Sequence, residues 1–105
     1  MKLELDNYGG VQIGINNVAV MSIIFINDNK IALKRHAITT THYDENIMHD
    51  SYSELTFNGF TFKLLNGDLI INNHAIYNMI DLYAYYYRGQ EDMIECYNNG
   101  LVVVY

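Results

Sequence analysis

The chain has 105 residues, half of them apolar, which is enough to form the core of a single domain over residues 1–105 without metal or disulfide support. Twelve acidic residues against six lysines and arginines give a formal net charge of −6, which argues against direct binding to nucleic acid. The single cysteine, the acidic residues where a signal peptide would be apolar, and a longest apolar run of only residues 18–26 predict a cytoplasmic protein that does not cross a membrane.

The first part of the chain alternates strand patterns with turns that contain asparagine. Leu3 and Leu5 alternate with charged residues, and the Tyr8-Gly9-Gly10 sequence ends this first strand. Residues 18–26 are apolar at nearly every position, which is expected of a strand covered on both faces. The predicted strands are residues 1–6, 11–15, 18–26 and 30–39, with turns at 16–17 and 27–29.

Residues 53–71 carry the strongest structural signal. Two Asn-Gly dipeptides, at 58–59 and 66–67, lie between runs of alternating apolar residues, which is typical of two successive hairpins with two-residue turns. A shift of one residue would turn the aromatic face to water, so the register is strongly specified. It pairs Phe57 with Phe60, Thr56 with Thr61, Leu55 with Phe62, Glu54 with Lys63, Leu64 with Leu69 and Phe62 with Ile71.

After residue 71 the spacing of apolar residues changes from 2 to about 3.6, the helical period. Asn72 or Asn73 would cap a helix over residues 74–88, and Gly89 would end it. The inward stripe of this helix would be Ile76, Met79, Ile80, Tyr83 and Tyr87. The predicted fold class is therefore α+β, with antiparallel β-meanders in one curled sheet or two layers and this single helix packed on the sheet.

The last residues allow two interpretations. Residues 93–97 and 101–105 flank Asn98-Asn99-Gly100 and are strongly β-forming, which favours a hairpin. The alternative is a short helix over residues 90–97 that precedes one final strand. In both cases the apolar strand at residues 101–105 is expected to insert between other strands or to pair with a second molecule, which would make a homodimer.

Residues 40–52 lack periodicity and are predicted to form a loop. The sequence between residues 36 and 62 holds four acidic residues and no lysine or arginine, so negative charge is concentrated around this loop. Tyrosines 43 and 52 bracket it, and tyrosine is common at protein interfaces. The residues predicted to bind a partner are Tyr43, Asp44, Glu45, Asp50, Tyr52, Glu54, Tyr85, Glu91 and Asp92.

These features favour a small, acidic, non-enzymatic protein that inhibits a protein partner by covering its basic surface. Phage-encoded anti-defence proteins, such as anti-CRISPR inhibitors, and toxin-immunity partners act in this way. The thirteen asparagines and the absence of proline are associated with AT-rich genomes such as those of phages and mobile elements. The sequence shows no glycine-rich phosphate loop and no nucleophile elbow, so neither a cofactor nor an enzymatic activity is predicted.

Two alternative functions are considered. His42, Asp44, Glu45 and His49 have the ligand types of a divalent metal site, so one alternative is a metal-dependent enzyme or sensor. The other is a small-molecule binder with a pocket between helix and sheet, lined by tyrosine and phenylalanine. Cys96 has an acidic neighbour and no helix N-terminus, so it is interpreted as a buried core thiol and not as a nucleophile.

Overall fold

A computed structural model describes residues 1–36, 52–80, 92–97, 99 and 102–104 of the chain. These residues form two antiparallel sheets, one of six strands and one of four. The strands are β1 (Lys2–Leu5), β2 (Val11–Ile15), β3 (Val18–Asn27), β4 (Lys30–Arg35), β5 (Tyr52–Phe57), β6 (Phe60–Leu65), β7 (Asp68–Ile71), β8 (His74–Asn78), β9 (Asp92–Tyr97) and β10 (Val102–Val104). The six-stranded sheet has the order β1-β2-β3-β4-β9-β10, and the four-stranded sheet has the order β5-β6-β7-β8.

The two sheets pack around a shared apolar core. Phe25 of β3 makes edge-on contacts with Phe57, Phe60 and Phe62 of the other sheet, at centroid distances of 5.3, 5.9 and 6.1 Å, a favoured arrangement of aromatic rings. Strand β1 contacts β5 and β6. The sheets are also joined by a hydrogen bond of 3.1 Å from the backbone amide of Leu3 to the hydroxyl of Ser53.

The predicted meander over residues 53–71 is confirmed. All six predicted residue pairs occur in the register of β5 with β6 and of β6 with β7. The asparagine and glycine of each turn have φ between 51° and 87°, the left-handed conformation that both central positions of a type I′ turn require. The meander buries its predicted apolar face, with Phe60, Phe62, Leu64, Leu69 and Ile71 in the core and Leu55 and Phe57 packed against it.

The four predicted strands of the first part are confirmed within residues 1–36, but the covering of β3 differs from the prediction. Val20 and Met21 are adjacent and both fully buried, because the register with β2 shifts at this point and one residue is inserted. Ile24 and Ile26 are 45% and 47% exposed. The prediction that residues 18–26 are covered on both faces is therefore wrong for the end of β3.

The prediction of an α+β fold with a packed helix over residues 74–88 is wrong. Residues 74–78 form β8, and helical backbone within the described residues is confined to Met79 and Ile80. Asn72 and Asn73 have φ of 49° and 66°, so they form a left-handed turn and cannot cap a helix, because a cap residue has extended backbone. Residues 81–88 of the predicted helix lie outside the described residues.

Substitutions in the turn between β7 and β8 test whether this turn leads into a strand and not into a helix. Because φ is +66° at Asn73, Asn73→Gly is expected to stabilise the protein by about 0.5 kcal/mol, and Asn73→Ala to destabilise it by about 1 kcal/mol. Thermal unfolding of both variants measures the difference. If Asn73 capped a helix instead, both substitutions would destabilise the protein, alanine by about 1 kcal/mol and glycine by about a few tenths of a kcal/mol, because both remove the capping side chain.

The C-terminal residues form the predicted hairpin. Strand β9 pairs with β10 on one side and with β4 on the other, so the alternative of a helix over residues 90–97 is wrong for residues 92–97. In the part of the chain that the structure describes, β10 lies at the edge of the six-stranded sheet and is not inserted between two strands. A homodimer through residues 101–105 stays a prediction. No helix within the described ranges has the length and apolar character needed to cross a membrane.

Candidate interaction surface

The outward face of the four-stranded sheet carries an exposed tyrosine that is bonded to a carboxylate. Tyr52 and Glu54 are two positions apart on β5 and therefore point to the same side of the sheet. The Tyr52 side chain is 64% exposed, and its hydroxyl donates a hydrogen bond of 2.9 Å to the Glu54 carboxylate. Leu65, which pairs with Tyr52 across β5 and β6, is 39% exposed. We call the surface formed by Tyr52, Glu54 and Leu65 the β5 patch.

The electrostatics of the β5 patch follow from this hydrogen bond. The bond to Glu54 and the charge of its carboxylate raise the pKa of the Tyr52 phenol above its ordinary value, because both stabilise the protonated form. Lys63 lies opposite Glu54 in the register, but the ion pairs found among the described residues are Lys2–Glu4 and Lys30–Glu95. The patch therefore presents a neutral phenol next to a carboxylate.

The structure describes three of the nine residues predicted to bind a partner. It brings Tyr52 and Glu54 together in the β5 patch. Asp92 begins β9 in the other sheet, where its backbone pairs with Arg35, so it does not belong to this patch. The residues outside the described ranges are Tyr43, Asp44, Glu45, Asp50, Tyr85 and Glu91.

The predicted metal ligands His42, Asp44, Glu45 and His49 lie outside the described residues. Within the described ranges, no group of three or more His, Cys, Asp or Glu side chains is placed to hold a metal ion. The predicted aromatic pocket was expected between the sheet and a helix over residues 74–88, but residues 74–78 form strand β8. The four phenylalanines contact one another in the core. Core packing accounts for these rings.

Sequence reasoning missed a polar cluster on the outward face of the six-stranded sheet. The Lys30 ammonium lies 3.0 Å from the Glu95 carboxylate and 5.6 Å from the centre of the Tyr97 ring. The Tyr97 hydroxyl donates to the same carboxylate at 3.2 Å. The cluster depends on the pairing of β4 with β9, which joins residues far apart in sequence, so no local pattern points to it.

A second missed contact joins Ser22 of β3 to His36, just after β4. The serine hydroxyl and the Nε2 atom of the imidazole are 2.6 Å apart. A serine and a histidine at this distance resemble part of a nucleophile and base pair. However, Ser22 lies within strand β3 and not on a sharp turn that would expose its hydroxyl. The contact is explained as a hydrogen bond that extends the pairing of β3 with β4, as does the bond from the His36 amide to the Val20 carbonyl.

The interpretation of Cys96 as a buried core thiol is confirmed. Its side chain is 1% exposed and packs in the apolar core. Burial raises the pKa of the thiol to about 11, because the charged thiolate loses its hydration there. The protonated thiol is therefore favoured at neutral pH, which disfavours a nucleophilic role for Cys96.

Comparison of the chain with protein families, curated proteins and solved structures finds no match in any of the three.

Proposed function

We propose that this chain is a non-enzymatic binding protein of the cytoplasm that inhibits a protein partner by covering its basic surface. The observation that supports the proposal best is the β5 patch, where an exposed phenol is bonded to a carboxylate at 2.9 Å. Tyrosine offers a large amphipathic contact area with few rotatable bonds, and it is therefore enriched at interfaces. A tyrosine whose hydroxyl is already fixed loses less conformational freedom when it binds.

The negative charge of the chain supports a partner with a basic surface. The chain carries a formal charge of −6, and Asp44, Glu45 and Asp50 precede β5 in a stretch without lysine or arginine. A surface rich in lysine and arginine on the partner would complement this stretch and accelerate association in a salt-dependent way. Phage anti-defence inhibitors and immunity proteins are examples of proteins that use such surfaces.

The proposal predicts a position-specific cross-link. A photo-crosslinking amino acid replaces Tyr52 in one variant and Tyr8 in a control variant. Tyr8 is 95% exposed and lies in the turn between β1 and β2, which belong to the other sheet. Each variant is used to capture a partner from host lysate, and the partner is then purified and titrated by calorimetry. We expect capture from position 52 only, and a Kd that rises with salt concentration.

Substitutions measure the contribution of the patch to that affinity. Tyr52→Ala is expected to weaken binding by about tenfold or more, as truncation of an interface tyrosine usually does. Thr56→Ala, at the next outward position of β5 beyond Glu54, is the matched control and should leave the Kd within about twofold. Equal capture from both positions, or a Kd unchanged by Tyr52→Ala and Glu54→Gln, would remove the patch from the function. A Kd unchanged by joint neutralisation of Asp44, Glu45 and Asp50 would contradict a basic partner surface.

A further inference from the structure

A shallow hollow of about 440 Å³ lies on the six-stranded sheet, at the end formed by β1, β2 and the start of β3. Its floor includes Gly14 and Ala19, which pair with each other across β2 and β3. The side chains of Lys2, Glu4 and Gln12 line it on the outward face, and the turn at 16–17 closes one end. The volume lies within the range of about 300–1,000 Å³ that is usual for small-molecule sites.

Gly14 leaves the floor of this hollow without a side chain, next to the register shift between β2 and β3. Its φ is not in the left-handed region, and an added Cβ would meet only the Val18 carbonyl group, at 3.5 Å from oxygen and 4.0 Å from carbon. Those are ordinary contacts. Glycine within a strand is less stable than alanine by roughly 0.5–1 kcal/mol, and it often marks either a β-bulge, which occurs at this position, or a place where a ligand or another backbone approaches closely.

The side chains around the hollow have no net formal charge. Met1 also lines it, and burial lowers the pKa of the Met1 amino group, which favours the uncharged amine. The Lys2 ammonium and the Glu4 carboxylate are 3.2 Å apart and form an ion pair. The side-chain amides of Gln12, Asn16 and Asn17 make no hydrogen bond within the described part of the chain. Each amide presents a donor and an acceptor side by side. This arrangement complements a neutral molecule whose groups both donate and accept, as sugar hydroxyls do.

We infer that this hollow binds a neutral mono- or disaccharide. The sugar hydroxyls bond to the three amides, and the sugar ring lies over Gly14 and Ala19, where no side chain longer than a methyl group intervenes. Among the described residues no aromatic ring lines the hollow, so the stacking that strengthens many sugar sites is missing. The expected Kd is therefore weak, about 1 to 10 mM.

The test is an amide chemical-shift titration of the whole chain with methyl glucoside, methyl galactoside, methyl mannoside and N-acetylglucosamine. At least one of these sugars is expected to shift the amide signals of Gln12, Gly14 and Ala19 in a saturable way. Gly14→Val, which fills the floor and suits a strand, should abolish those shifts. Gln12→Leu should weaken binding by about fivefold, the loss of one hydrogen bond. Thr56→Val on the other sheet is the control and should bind as the wild type does.

Three results would overturn the inference. The first is the absence of shifts with all four sugars at about 50 mM, several times the expected Kd. The second is an equal response in Gly14→Val, which would place the sugar elsewhere. The third is saturable binding at these residues of glycine or glutamine, added as zwitterionic probes, in preference to every sugar. The hollow and the β5 patch share no residue, so failure of the sugar titration leaves the proposed partner interaction unaffected.

Discussion

Replacing Phe62 by alanine is expected to lower the free energy of unfolding by about 4 kcal/mol, since removing a buried phenylalanine side chain costs about 3–5 kcal/mol. Phe62 is fully buried, stacks on Phe60 at 6.1 Å and contacts Phe25 at the same distance. The loss is large compared with the total stability of about 5–15 kcal/mol that is usual for domains. Denaturant unfolding followed by tyrosine fluorescence should show a lower midpoint with an unchanged slope.

Thr56→Ala is the matched substitution for this experiment, because Thr56 belongs to the same meander but is exposed. It should change the free energy of unfolding by no more than about 0.5 kcal/mol. If Phe62→Ala had an equally small effect, the aromatic face of the meander would not lie in the core, and the packing of the two sheets described above would be incorrect.

Gly10→Ala is expected to destabilise the protein by about 1–3 kcal/mol, the range seen when a packed site is overfilled. A Cβ at Gly10 would lie 2.6 Å from the carbonyl oxygen of Ile23 and 2.8 Å from Oδ2 of Asp6. The other oxygen of that carboxylate accepts hydrogen bonds of 2.8 Å from the amides of Tyr8 and Gly10. The added methyl group therefore displaces both β3 and the carboxylate that organises the loop.

Gly14→Ala, within β2, is expected to give the contrasting result. Its Cβ meets only ordinary contacts, so the variant should be as stable as the wild type or more stable by about 0.5–1 kcal/mol. Thermal unfolding resolves the difference, because 1 kcal/mol shifts the Tm of a chain of this size by about 4–8 °C. Equal Tm values for the two variants would contradict the close approach of Ile23 to Gly10.

The meander could be predicted because its information is local. Each two-residue turn sets the register, and strict alternation sets the buried face. Strand β8 escaped prediction because Ile76 is an extra residue in its pairing with β7, and Ile76 and Tyr77 both pack against the core. Adjacent inward residues break the alternation and imitate helical spacing. The available signal was Asn72-Asn73, the same dipeptide that forms the turn at Asn16-Asn17.

The part of the candidate site that depends on local pattern could also be predicted from the sequence. Strand alternation alone places Tyr52 and Glu54 on one face, and the exposed Leu65 follows from the register of the first hairpin. The register also puts Lys63 opposite Glu54. Side-chain rotamers decide which of the two neighbours bonds to the Glu54 carboxylate, and the hydrogen bond is made by the Tyr52 phenol. The contacts of Lys30 with Glu95 and Tyr97 depend on a strand pairing that no local rule specifies.

The order of the strands has a consequence for folding. Within the described residues, every strand pair joins neighbours in sequence except the pair of β4 with β9. Hairpins between neighbours form quickly, whereas joining β4 to β9 requires closing a long loop before any contact compensates for the lost chain entropy. Assembly of the six-stranded sheet is therefore expected to end with this pairing. The ion pair of Lys30 with Glu95 then forms last, and its presence marks a completely folded chain.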